Sequence, residues 1–390
     1  MSQSLAAQLH GAVGEDRVHT AVVVRGVYQP VGGAGSTVMP PTYPIGEKES
    51  VEKKYAVHHR LVDGGEPVPV VTVDQEPSQA NRVEEALLRA RDRERLAYPL
   101  FEMRCKSAQG EVRLTSLDFP HRYADAYLRD SLVEGKRFDE SEVGQLLRST
   151  TSTDVRPLYE RDPGSLVFGA WDSHRKGRWP KFARLYTAFM FGVDPHFVDR
   201  RGGRLDPRNL TGAVDDKAKA ESDWKFVPAG EKTKGQRLSE IGHGNIAPSR
   251  VPGGVTVREV HRQATVSFAG LERLRFGDAS PEGEQAARAA LAALALAGDR
   301  LAFGKPSVWL RSGCDLVKVS ELVGLEKAGG EVDAMDVSVE EALAAFHELR
   351  EQAAEFGVAM SSETVAVEPV PQLAKAIEYA VSQAVDDDGE

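Results

Sequence analysis

The sequence is short of cysteine: Cys105 and Cys314 stand far apart with no CxxC pair, so neither a disulfide framework nor a cysteine zinc site is expected. It also lacks any run of about 18 apolar residues. The opening MSQSLAAQLHGAVGEDR carries acids and no apolar core, so no signal peptide is expected and the chain reads as cytoplasmic with no membrane partner. GxxxxGK[ST], GxGxxG after a strand, HExxH and GxSxG are missing, which removes the usual supports for nucleotide hydrolysis, dinucleotide binding, zinc proteolysis and serine hydrolysis. The ten histidines are scattered, and the adjacent His58 and His59 would point to opposite sides of a strand. No metal, cofactor or catalytic residue is expected.

At 390 residues and 41% hydrophobic content the chain can bury a sizeable core. Its net charge of −10 argues at first against a nucleic-acid partner. The distribution reverses this. Residues 320–390 hold 17 acids against 3 bases, a net of −14, which leaves +4 for residues 1–319. Between Arg148 and Arg208 there are 12 bases and 7 acids, interleaved with Phe168, Trp171, Trp179, Phe182 and Tyr186. Cations among aromatics suit single-stranded RNA, where backbone charge and base stacking both contribute. A solvated basic surface over core aromatics accounts for the same composition.

Val18–Tyr28 is β-branched and reads as a central strand. Residues 30–80 and 205–255, rich in Gly and Pro or polar without periodicity, read as insertions. Val83, Ala86, Leu87 and Ala90 repeat at helical spacing. Thr256–Ala269 alternates, with Val260, Ala264, Val266 and Phe268 on one side and Glu259, His261, Gln263, Thr265 and Ser267 on an open one, for solvent or for a ligand. One helix is punctuated by Ser280, Pro281 and a terminating Gly298, another by the capping box Ser338–Glu341 and a stop at Gly357, and a last one covers 372–385 before an acidic, disordered DDDGE tail. Residues 320–390 thus read as an acidic helical C-terminal part, and the whole as an α+β fold of the ferredoxin-like type with long insertions.

Several segments in order along 74–316 together resemble one family. They are DQEPSQANRVEE (74–85), DFPHRYAD (118–125) with RDS (129–131), LVFGAWDSHR (166–175), SEIGHGN (239–245) with GGVT (253–256), LERLRF (271–276) and LRSGCDL (310–316). This set resembles the backbone subunit of type I-G (formerly I-U) CRISPR Cascade complexes, a member of the RAMP superfamily. The resemblance implies a single subunit with an RRM-like palm and large finger and thumb insertions, 30–80 and 205–255 being the candidates. It implies copies stacked along a CRISPR guide RNA (crRNA) in a ribonucleoprotein of antiviral defence, with target DNA reached through the guide and other Cascade subunits as partners. No RNP1 string is present, so the stacking mode of an ordinary RRM is not carried over.

Within these segments Ser78 is a candidate helix cap, placing Gln79, Asn81 and Arg82 in a first turn whose free N–H groups favour a phosphate, or merely tying a loop to the helix. His121, Arg122 and Arg129 form a candidate phosphate cluster, against an internal pair of Arg129 with Asp125 or Asp130. Trp171, Ser173, His174, Arg175, Lys176 and Arg178, at the end of a strand-like run, are candidates for stacking and backbone contact, with Trp171 as core the competing account. His243 and Asn245 sit between glycines that permit close approach of a ligand or form a plain turn. Arg311 and Gly313 resemble the glycine-containing loop of RAMP proteins that lies against RNA. A metal-independent RAMP endoribonuclease with a histidine base is the alternative to a non-enzymatic coat, and a protein that meets only other proteins is a third reading.

Overall fold

The computed structural model describes residues 3–46, 49–62, 64–107, 110–172, 180–205, 219–220, 225–228, 235–237, 240, 243 and 245–387. Helix α1 (Leu5–Ala12), capped by Ser4, precedes the long strand β1 (His19–Pro30). The Gly/Pro-rich stretch that follows is no simple excursion: it contributes β2 (Val57–Leu61) and β3 (Pro67–Asp74), whose valines at 70, 71 and 73 are fully buried. Strand β3 runs into α2 (Glu76–Asp92), and a hairpin of β4 (Leu100–Ser107) and β5 (Gly110–Thr115) follows. The LVF part of the expected strand-like run is instead the end of a helix, α3 (Pro163–Phe168), because Pro163 suits a first turn and Gly169 at φ +84° ends it.

Strand β6 (Tyr186–Val193) leads into an antiparallel ribbon of β7 (His196–Arg204) and β8 (Ile246–Thr256), then β9 (Val260–Ser267). Phe268 does not continue β9 but opens a short helix capped by Ser267. Helix α4 (Pro281–Phe303) starts at the Ser280 cap as expected and runs through Gly298 to Gly304. Gly298 is a packing residue: a Cβ there would meet Val83 Cγ1 of α2 at 2.6 Å. The C-terminal part is not helical throughout. It holds most of β11 (Asp315–Lys327), which follows the short β10 (Ser307–Trp309), then β12 (Val332–Ala334), α5 (Val339–Glu355), β13 (Thr364–Pro369) and α6 (Pro371–Asp387).

The main sheet has the order β10-β11-β1-β9-β6-β3-β2 with β12 beside β11, and every pairing in it is antiparallel. Its centre, β11-β1-β9-β6, is joined as strand, helix α2, two strands, helix α4, strand. Both helices pack on one face, where Val22, Val24, Tyr186, Ala188, Ala264 and Val266 share a core with Ala80, Val83 and Leu87 of α2 and the alanine-rich body of α4. Helix α4 is buried along most of its length because α1 and α5 cover its far side. A second sheet, in which β13 lies parallel to β4, flanks this core. The fold is thus mixed α+β with several sheets. Among the described residues, no helix is long and apolar enough to cross a membrane.

Candidate nucleic-acid interface

Asp74 closes β3 and Gln75 occupies the N-cap of α2, so this helix begins two residues before the expected Ser78 cap. Pro77 fits the first turn because its missing N–H costs nothing there. The consequence is a correction: Asn81 and Arg82 stand in the second turn, and the Gln79 N–H already donates to Gln75 O at 2.9 Å. A helix-terminal phosphate site at these three residues therefore loses its backbone donors. Gln79 is fully buried, donating to Asp74 Oδ2 at 2.6 Å and accepting from Arg262 Nε at 2.9 Å.

A cleft of about 660 Å³ opens beside this helix, and the exposed Asn81, His121, Trp171, Lys181 and Arg184 line it with Pro77. Its walls follow from local backbone geometry. After α3, the positive φ of Gly169 turns the chain where a Cβ would meet Phe182 O and Arg184 N at 3.1 Å. Ala170 and Phe182 then exchange two backbone hydrogen bonds of 3.1 and 2.9 Å, which brings the two ends of the intervening segment together. Trp171 and Lys181 face each other across that closure, with Nζ 4.6 Å from the ring centroid. The indole is 55% exposed, which removes the reading of Trp171 as core.

Under the cleft lies a buried ionic centre. Arg122, held at φ +52°, donates from Nε and Nη2 to the two oxygens of Glu84 at 2.6 and 2.7 Å and from Nη1 to Gly169 O at 2.9 Å. Burial pushes the Glu84 carboxyl up to about 7 against the opposing pull of the Arg122 cation. Asp162, which accepts from Tyr123 N and Ser165 Oγ, is likewise pushed by burial to about 6. Arg122 is thus a floor residue that fixes the turn at Gly169.

The other expected residues fall elsewhere. Arg129 pairs with its neighbour Asp130 at 2.7 Å, the internal account weighed against a phosphate cluster. Arg82 and Arg311 converge on one buried carboxylate, Asp74, at 3.1 and 3.2 Å, while Arg82 also donates to Leu310 O and Arg311 to Val73 O. Gly313 at φ +78° admits Met39, whose Cγ a Cβ there would meet. His243 and Asn245 do not line the cleft. Ser173, His174, Arg175, Lys176 and Arg178 lie outside the described residues.

Two cleft residues were legible only as part of a basic stretch: Lys181 and Arg184 each needed the Ala170–Phe182 closure to be placed. Arg262 was missed, although the alternation of β9 puts it on the same side as Val260 and Ala264. It is wholly interior, donating to Gln79, Tyr186 and Asp299, with Phe303 3.7 Å from its guanidinium carbon. Asp299 in turn holds Arg300, which reaches Glu321 on β11.

The fold and cleft define a mixed α+β protein that presents cations and an exposed indole together, a surface suited to an anionic, base-bearing polymer. Residues 22–196 match the model of the family described as CRISPR-associated protein GSU0053. The matched stretch contains every residue that lines the cleft. No curated protein matches the chain.

Proposed function

We propose that this chain is a multi-copy backbone subunit of a type I-G Cascade complex, coating CRISPR guide RNA for target-DNA recognition without catalysis of its own. The observation that carries the reading is the cleft, where Trp171 and Lys181 face each other beside Asn81, His121 and Arg184. An exposed indole offers a base a stacking surface, and exposed cations draw the phosphates. Neither contact reads sequence, as a guide of arbitrary sequence requires.

Two features of the fold support the RAMP part of the reading. The β-α-β-β-α-β connection with central order β11-β1-β9-β6 is the arrangement of a ferredoxin-like or RRM-like palm. The β7–β8 ribbon, with Arg200, Arg201 and Arg250 on exposed positions, is the candidate for an inserted finger or thumb.

The test is fluorescence anisotropy of the full chain with single-stranded RNAs of unrelated sequence. Trp171→Ala is expected to weaken all of them alike, by roughly 5- to 150-fold, the worth of one stacked base. Loss confined to one sequence contradicts the reading. A defined cut in repeat RNA that His121→Ala abolishes would establish the endoribonuclease instead.

A further inference from the structure

The face of the main sheet turned away from α2 and α4 carries a second cluster that the cleft does not use. In antiparallel pairs, residues directly opposite share a face. Register therefore places His58 and Arg60 of β2, Phe189 and Phe191 of β6, and His261 and Gln263 of β9 on that one side. The Phe189 and Phe191 centroids lie 6.1 Å apart, and His58 and His261 flank them at 6.1 and 5.5 Å. Arg60 lies across both phenyl rings, its guanidinium carbon 4.4 and 4.7 Å from their centroids.

Arg60 differs from Arg25 on the same face. Arg25 pairs with Glu326, whereas among the described residues no carboxylate pairs with Arg60. Its one printed side-chain bond is from Nε to His58 Nε2 at 2.9 Å. Desolvation first, then the neighbouring Arg60 and His59, hold His58 below the usual imidazole value, which suits it to accept that bond. The guanidinium is thus fixed flat on a hydrocarbon platform, with both terminal nitrogens left to an outside partner. Glu76 acts on Arg60 only through its charge and Glu259 pairs with His261 instead, so this planar cation has a stacking partner and an orienting acceptor but no ion-paired carboxylate, and it complements a planar base and its phosphate. Gln263 and Thr187, exposed on the same face, offer amide and hydroxyl groups to a base edge.

We infer that this sheet face binds an unpaired nucleotide of single-stranded RNA, the base stacked on Arg60 and the phosphate drawn to its terminal nitrogens. The choice of RNA rests on the guide-RNA reading above; the site itself rests on the Arg60 platform, on the opposite side of the sheet from α2.

The test uses the full-length chain with bromouridine-substituted RNA, reading both affinity and the peptides that crosslink on irradiation. Crosslinks are expected on 57–61 and 186–193. Arg60→Ala is expected to remove them and to weaken binding roughly 5- to 150-fold, the worth of one stacked base. Phe189→Leu, which keeps an apolar side chain, is expected to act in the same direction, and Arg60→Lys to recover only part of the affinity, since a point charge does not stack. If Trp171→Ala weakens binding while Arg60→Ala and Phe189→Leu change neither affinity nor crosslinks, the sheet site is overturned and the cleft reading stands. If the unaltered chain binds no RNA, both fall. Arg60-dependent binding of DNA but not RNA overturns the assignment to RNA.

Discussion

Asp299 is fully buried between two arginines, Arg262 and Arg300, and carries the electrostatics of the core. Burial alone would raise its carboxyl, but those two cations reverse the effect and hold it well below the ordinary range. Removing one member of such a group leaves uncompensated buried charge, so Asp299→Ala is expected to cost about 3–5 kcal/mol in denaturant unfolding. A loss under about 1 kcal/mol contradicts this account. Glu84 behaves in the opposite sense. Its carboxyl is raised from 4.5 to about 7 in the folded chain, so its contribution to stability is complete below pH 4.5 and is lost as pH rises through 7. Relative to Glu84→Gln, the wild type is therefore expected to lose about 3 kcal/mol between pH 4.5 and 8, measured by urea unfolding at each pH. A change of opposite sign contradicts it. Neither group was legible in the sequence: the spacing of α2 shows Glu84 beside Val83, but only the fold brings Arg122, 38 residues away, to it as partner.

At the scale of elements, Gly298 shows how one residue supports two readings. A glycine near the end of an Ala/Leu run looks like a helix terminator, yet α4 passes through it because α2 crosses at that point. Ala at this position gains about 1 kcal/mol of helix propensity. It also drives a Cβ to 2.6 Å from Val83 Cγ1 in a packed core, an overpacking cost of about 1–3 kcal/mol. Packing should prevail, so Gly298→Ala is expected to lower the unfolding midpoint without changing the denaturant slope. A raised midpoint contradicts it. The apolar spacing of α2, the Ser280 cap of α4 and the capping box of α5 were legible because they are local signals, whereas the cap of α2 was not. The placement of β3 and β11 was not. Their neighbours β6 and β1 are distant in sequence, and pairing across such distances leaves no periodic mark.

For the whole molecule, charge is partitioned: residues 1–319 carry +4 and residues 320–390 carry −14. Much of the acidity falls on α5, α6 and β11, where Glu321 pairs with Arg300, while Lys181 and Arg184 stay exposed at the cleft. RNA binding is therefore expected despite the negative total, with a slope in log salt that Lys181→Ala lowers by about 0.7, the value of one phosphate contact on a single strand. An unchanged slope removes Lys181 from the interface. The cleft is half legible in sequence: Asn81, His121, Arg122 and Trp171 stand in segments that suggest a phosphate or base contact, but only the fold brings them to one place. The central claim is that this chain coats guide RNA, and it is tested most directly by purifying the protein after co-expression with a CRISPR array and its neighbouring proteins and sequencing the RNA that co-elutes at high mass. Array-derived guides of many spacer sequences in a large assembly are the predicted result; an RNA-free chain, with those partners present and intact, would contradict it.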